Sequence, residues 1–294
     1  MKHAILILAH KDFTHLRHLI EYFTKNCYVY VHVDKKADIN DEELRLISSM
    51  PQVRTVYRQF HVHWGGFSVL EAELSLFKRA YEDVEADYYH LISGQDYPIK
   101  PLNAFLNYFE KRGEKDYIEY KPYPITNWGS AFFNRFRFYY LADDVNWQTS
   151  NGKRFMGELL KLQADYNVRR EPIREFNIIY KGSQWMSLTR DTVDLVLKYT
   201  DEHPSFLQRL KYTFAPEESY IHTILLNSRK GKILNNNLRY IRWNAENGNN
   251  PSNLSIEHFD DIRDSNAFFA RKMERPYCNP LIQLIDRHLL YPQI

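Results

Sequence analysis

Glu217 and Glu218 directly follow Pro216 in the segment FAPEESYIHTIL (214–225). Proline presets the helical φ and lacks an N–H that a first turn would leave unpaired, so a helix is expected over 216–227. Carboxylates in a first turn meet the positive end of the helix dipole and stay ionised, the state that accepts a proton from a hydroxyl. Neighbouring helical residues point about 100° apart, which predicts one glutamate facing a cleft and the other facing solvent. The competing reading is a pair of surface acids that merely complement the dipole. A second candidate is the basic pair Arg271–Lys272 in FFARKM (268–273), suited to phosphate oxygens but also typical of a solubilising surface helix.

Other segments offer polar groups at strand ends. In YYHLISGQDYPIKP (88–101) an apolar run stops at Gly94, and Gln95 and Asp96 follow where ligands of open sheets collect. Asp34 closes the run VYVHVD (29–34), either as a ligand-facing acceptor or as a turn or cap residue. Trp64 precedes two glycines in HWGGFS (63–68), as a stacking ring or a core tryptophan, and the glycines do not form a G-x-G-x-x-G phosphate loop. The strand ends VDKK and SGQD lack an Asp-x-Asp pair for a divalent cation. The adjacent pairs Asp143–Asp144 and Asp260–Asp261 read as solvated acids.

Apolar runs at 4–9 and 28–33 flank an amphipathic stretch from Phe13 to Phe23, a strand, helix, strand order. It continues with a helix at 41–48, a strand at 53–57, a helix over 68–84 and a strand at 88–92. Buried strands alternating with amphipathic helices imply an α/β fold, a mainly parallel central sheet flanked by helices. Further on, a helix at 102–111, strands at 116–120 and 184–188, helices at 153–165 and from Asp191, a short strand at 238–243 and a terminal helix at 279–290 are expected. The alternation of Arg135 and Arg137 with Phe136 and Phe138 predicts a strand with one wet face over 131–141. No repeat or linker divides the chain, so 1–294 reads as a single elaborated domain, with a nucleotide-binding half (1–112) and an acceptor-binding, catalytic half (113–294).

The chain of 294 residues is 44% hydrophobic and 26% charged, an ordinary globular balance that excludes disorder. A net charge of +2 argues against nucleic acid as a partner. Nothing approaches the ~20 apolar residues of a membrane span, which leaves room only for peripheral membrane association. Aromatic residues reach 15%, most of them for the core and a few for stacking on sugar faces. Cys27 and Cys278 have no metal-ligand spacing and read as free thiols of a reducing compartment.

Taken in order, AHKD (9–12), VYVHVDKK (29–36), YYHLISGQDYPIKP, KGSQWMSLTRD (181–191) and FAPEESYIHTIL resemble the core-2/I-branching N-acetylglucosaminyltransferase and peptide O-xylosyltransferase family, glycosyltransferase family 14. The likeness runs from about Ala4 to Met273 and implies a GT-A-like fold and an inverting, metal-independent transferase that needs no cofactor beyond its UDP-sugar donor. It assigns the catalytic base to Glu218, and the donor nucleotide and diphosphate to His10, His32, Asp34, Trp64, Asp96, Arg271 and Lys272. Glu119, Arg135, Arg137, Gly182, Ser183 and Trp243 correspond to sugar-binding positions for a glycan acceptor. The donor implied first is UDP-N-acetylglucosamine and second UDP-xylose, with surface polysaccharide as the product. A non-catalytic glycan-binding domain, or a hydrolase using Glu119 and Glu218, is the rival reading. Eukaryotic members of that family are usually anchored in the secretory pathway and rich in cysteine; this sequence, with two cysteines and no apolar span, departs on both counts, so a cytoplasmic location is expected here. Two departures stand out. Pro251-Ser252-Asn253 replaces a basic element, leaving Arg242 or Arg271 to supply the second positive charge, and Ala245 replaces a tyrosine beyond Trp243.

Overall fold

The computed structural model describes residues 1–23, 27–228, 232–243 and 251–291. Ala245 lies outside them. A seven-stranded sheet among the described residues has the order β10-β6-β9-β4-β1-β2-β3. Its parallel centre is β1 (His3–Ala9), β2 (Cys27–Val33), β3 (Val53–Tyr57) and β4 (Tyr88–Ser93). Beyond β4 come antiparallel β9 (Ser187–Thr189), then β6 (Asp116–Tyr117) and β10 (Ile233–Leu234).

Side chains alternate across β1, so Ile5 and Ile7 enter a core with the helix Phe13–Tyr22, while Ala4 and Leu6 enter a second core with the helix Phe67–Asp83. Val29, Val31, Leu91 and Ile92 continue the pattern. Burial on both faces is what the unbroken apolar runs anticipate, and the α/β layering with a mainly parallel sheet follows from it.

Two small sheets build the walls of the cleft. β5 (Tyr97–Pro98), β11 (Arg239–Ile241) and β12 (Phe269–Arg271) associate in the order β11-β12-β5, which returns the last part of the chain to the loop after β4. β7 (Lys121–Pro124) pairs antiparallel with β8 (Ile178–Lys181).

Two local expectations are corrected. Residues 131–141 do not form a strand: a 3₁₀ turn, Ala131–Phe133, leads into the short helix Asn134–Arg137. Phe133 and Phe136 are both fully buried, and their i, i+3 spacing on one helical face outweighs the two-residue alternation. The expected helix over 216–227 is broken into a 3₁₀ turn, Pro216–Glu218, and a helix, Tyr220–Ser228. Glu217 and Glu218 therefore stand in a separate tight turn, and the dipole of a continuous helix does not act on them.

Candidate active site

A cavity of about 720 Å³ opens at the carboxyl ends of β1, β2 and β4. Strand ends bring His10, His32, Asp34, Ser93 and Gln95 to one side. Glu119, Gly182, Ser183, Glu217, Glu218 and Trp243 line it, as do Trp64, Arg271 and Lys272. Most residues anticipated from sequence are thus gathered around one space.

Near β1 and β2 the groups are held by the backbone. The Asp34 carboxylate accepts from Lys36 N at 2.9 Å and Val62 N at 3.2 Å, which fixes the loop after β2 while the residue remains on the cavity wall. Burial pushes His32 down to about 4, so it is a neutral ring whose Nε2 accepts from Phe60 N at 3.2 Å. His10 is also lowered, by burial first and then by Lys11 and Lys272.

β12 carries the basic pair to this side. Arg271 is buried, with its guanidinium 4.1 Å from the centre of the Trp185 ring and Nη1 3.4 Å from Asp96 Oδ1. Its Nε and Nη1 make no hydrogen bond among the described residues. Lys272 is held below the usual lysine range by burial and then by Lys11 and Arg271, with Glu274 acting in the opposite sense. Anionic oxygens brought into the cavity would relieve this crowding of positive charge. Between the two residues anticipated for the second charge, Arg271 lines the cavity, whereas Arg242 pairs with Asp261 at 3.4 Å away from it.

The opposite wall holds the acids. Arg135 Nη1 donates to Glu218 Oε2 at 3.0 Å, and Lys181 Nζ lies 3.1 Å from the same oxygen. Oε1 of Glu218 has no hydrogen-bond partner among the described residues. Glu217 does not face solvent as expected. The turn directs it inward, where it is 7% exposed, and burial followed by the neighbouring Glu218 raises it to about 8. Behind it, fully buried Glu73 is also raised well above the carboxylate range, by burial and then by Glu217. At neutral pH Glu217 is a carboxylic acid and Glu218 stands beside two cations, so the neighbouring acids differ in chemical character.

Gly182 joins the two acidic sides. Its N–H donates to the Glu218 carbonyl at 2.9 Å, and a Cβ at this position would lie 1.6 Å from the Glu119 carbonyl oxygen. Only glycine permits this approach. The Glu119 side chain accepts from Asn237 Nδ2 at 2.8 Å, and Trp243 presents a ring that is 59% exposed.

Three anticipated contacts are corrected. Asp96 is fully buried beneath the cavity, where Oδ2 accepts from Ser93 N at 3.0 Å and Oδ1 faces Arg271, so it supports the basic pair from below. Arg135 and Arg137 do not line the cavity, because their segment is helical: Arg135 reaches Glu218 from behind and Arg137 bonds Asn134. Lys181, Trp147 and Trp185 were missed. The charged end of the otherwise apolar strand IIYK was the available signal for Lys181.

Among the described residues no group of three or more His, Cys, Asp or Glu could share a metal ion. No helix among them is long and apolar enough to cross a membrane.

A family model described as Core-2/I-Branching enzyme matches residues 4–263. Xylosyltransferase 2 of Homo sapiens is 26% identical over 286 residues, covering 89% of this chain and 30% of its own length. Xylosyltransferase 1 of Rattus norvegicus is 26% identical over 297 residues, covering 91% of this chain and 32% of its own length. The chain therefore spans about a third of the length of the curated relatives it matches. A crystal structure of HddC from Yersinia pseudotuberculosis shares 12% identity at a TM-score of 0.34, covering 79% of this chain and 88% of that one, too distant for detail to carry over.

Proposed function

Since the chain belongs to the Core-2/I-Branching enzyme family, we propose that it is an inverting glycosyltransferase that moves a sugar from a UDP donor to a hydroxyl of a glycan acceptor. The observation that carries this reading is the division of one cavity into a basic wall, Arg271 with Lys272, and an acidic wall on which one oxygen of Glu218 accepts no hydrogen bond among the described residues.

In the proposed reaction Glu218 Oε1 takes the proton of the acceptor hydroxyl as that oxygen attacks the anomeric carbon, and the bond to the diphosphate breaks on the opposite face. One displacement inverts the centre. Charge arriving on the diphosphate is met by Arg271 and Lys272, both prearranged and partly removed from water, where such charges act most strongly. His10, Asp34 and Trp64 surround the nucleoside, while Glu119 and Trp243 receive the acceptor sugar. The chemistry needs no metal in this scheme, because fixed cations take the role of a divalent ion.

UDP-N-acetylglucosamine is the first donor reading, from the sequence resemblance alone, and UDP-xylose the second, weakly favoured by relatives named xylosyltransferases at 26% identity. A calorimetric panel of nucleotide sugars with EDTA or Mn²⁺ tests the scheme. UDP-sugars should bind equally well under both conditions. Failure of every UDP-sugar to bind would remove the reading, and loss of UDP affinity in EDTA would remove its metal-free part.

A further inference from the structure

Residues 142–148 have no role in the scheme above, yet Asn146, Trp147 and Gln148 line the same cavity. The loop is fixed at its start by Asp143, whose carboxylate accepts from Phe67 N at 2.7 Å, Ser68 N at 3.2 Å and Ser68 Oγ at 2.5 Å. Asp143, expected to be a solvated acid, instead caps the helix Phe67–Asp83. At the other end Thr149 Oγ1 accepts from Gly152 N at 3.0 Å. A Cβ at Gly152 would lie 2.1 Å from the Asn146 carbonyl oxygen and 2.6 Å from Trp147 Cα, so loop and helix meet backbone to backbone.

Trp147 is locked by this frame. Its Nε1–H donates to the Trp64 carbonyl at 3.0 Å, and the two indoles stack with centroids 5.0 Å apart and an interplanar angle of 28°. Phe214 meets both rings edge-on, at 5.6 Å from Trp64 and 4.8 Å from Trp147. Even so, Trp64 remains 57% exposed. Beside the rings, the Gln148 side chain makes no hydrogen bond among the described residues, and Asn146 spends only Oδ1, on Gln148 N at 3.2 Å.

A rigid aromatic platform flanked by uncommitted amides matches the chemistry of a sugar ring, whose C–H face packs on an indole and whose hydroxyls bond to amides. Its position favours the acceptor. Phe214 lies 5.8 Å from the Arg135 guanidinium, which in turn holds Glu218, so the platform adjoins the proton-accepting wall.

We propose that Trp147, with Asn146 and Gln148, forms a subsite for a second acceptor sugar, beyond the one whose hydroxyl reacts. The acceptor is then an oligosaccharide, in preference to a monosaccharide or a bare serine side chain. The assignment rests on the transferase reading for its biological meaning, but its test reads binding alone.

An array of defined di- to hexasaccharides and an unglycosylated serine peptide is probed, in the presence of UDP, with the unaltered protein and with Trp147→Ala, Trp147→Phe and Gln148→Ala. The unaltered protein should retain oligosaccharides in preference to the peptide. Trp147→Ala should weaken that binding about tenfold, with Trp147→Phe restoring much of it, as expected for a ring-stacking contact. Calorimetry should show UDP affinity unchanged in Gln148→Ala, and a loss of UDP in Trp147→Ala clearly smaller than the loss of oligosaccharide, because Trp147 also supports Trp64. If Trp147→Ala fails to fold, Gln148→Ala, altered only at a side chain free of internal bonds, carries the test through selective loss of oligosaccharide. Equal loss of UDP and oligosaccharide in Trp147→Ala would give the ring to the donor and overturn the proposal, as would binding of the peptide alone. A protein that binds oligosaccharides through Trp147 but no UDP-sugar would keep the subsite and lose the transferase reading.

Discussion

The Arg135 guanidinium donates to Oε2 of Glu218 at 3.0 Å, while Oε1 of the same carboxylate accepts no hydrogen bond among the described residues. Lys181 adds its ammonium to the already engaged oxygen at 3.1 Å. Two cations on one oxygen hold the carboxylate in a single rotamer, with its other oxygen available for the acceptor proton. A general base needs this geometry before anything else.

Glu218→Gln should therefore abolish most transfer while preserving the space and the Arg135 contact. The expected fall in kcat is about 10²- to 10⁴-fold, the usual contribution of a general base, with UDP affinity by calorimetry nearly unchanged. A variant retaining most of its turnover would assign the proton to another group.

Lys181→Met keeps the length of the side chain and removes its charge. With one of two anchors lost, kcat should fall by about tenfold, equivalent to roughly 1.4 kcal/mol of transition-state stabilisation, while KM for the donor stays near its original value. A rise in donor KM without loss of kcat would place Lys181 on the diphosphate.

Glu217 links pH to stability with a definite sign. Its carboxyl group ordinarily titrates near 4.5 and in the folded protein is raised to about 8. Folding therefore favours the protonated form: its stabilising contribution is complete below the ordinary value and is lost as pH rises through about 8. Glu217→Gln, neutral at every pH, should flatten the decline in Tm between pH 5 and 9 when melting is followed by circular dichroism. An unchanged decline would exclude Glu217 as its source.

Lys272→Ala should weaken UDP substantially and uridine hardly at all in calorimetric titrations, since only UDP carries the diphosphate. Because Lys272 sits below the usual lysine range through burial and its positive neighbours, UDP affinity should begin to fall on the alkaline side at lower pH than a free lysine would give. Equal losses for UDP and uridine would mark the lysine as structural.

The parallel centre was legible because β1, β2 and β4 are buried on both faces and so are written as unbroken apolar runs. The short helix Asn134–Arg137 was not, since Arg135-Phe136-Arg137-Phe138 satisfies a strand's alternation, and only the partners of Phe133 and Phe136 decide between the periods. The same limit applied to the acids. Pro216 announced a continuous helix over 216–227, but the chain breaks at Ser219, and the inward direction of Glu217 toward Glu73 follows from that break. Asp96 was recognisable as a polar residue after a strand, but its place beneath Arg271 arises from β12 returning to β5. Trp147 had no local signal, because its importance comes from packing against Trp64 and Phe214, far away in sequence.

The frustrated burial of Arg271 has a practical outcome. Among the described residues its Nε and Nη1 make no hydrogen bond, and a bound anion that accepts from the guanidinium would stabilise the folded protein. Heat tolerance should consequently track nucleotide occupancy closely, and stocks kept in plain buffer should age faster than stocks kept with UDP. The donor would then act as a late-arriving part of the architecture as well as a reactant.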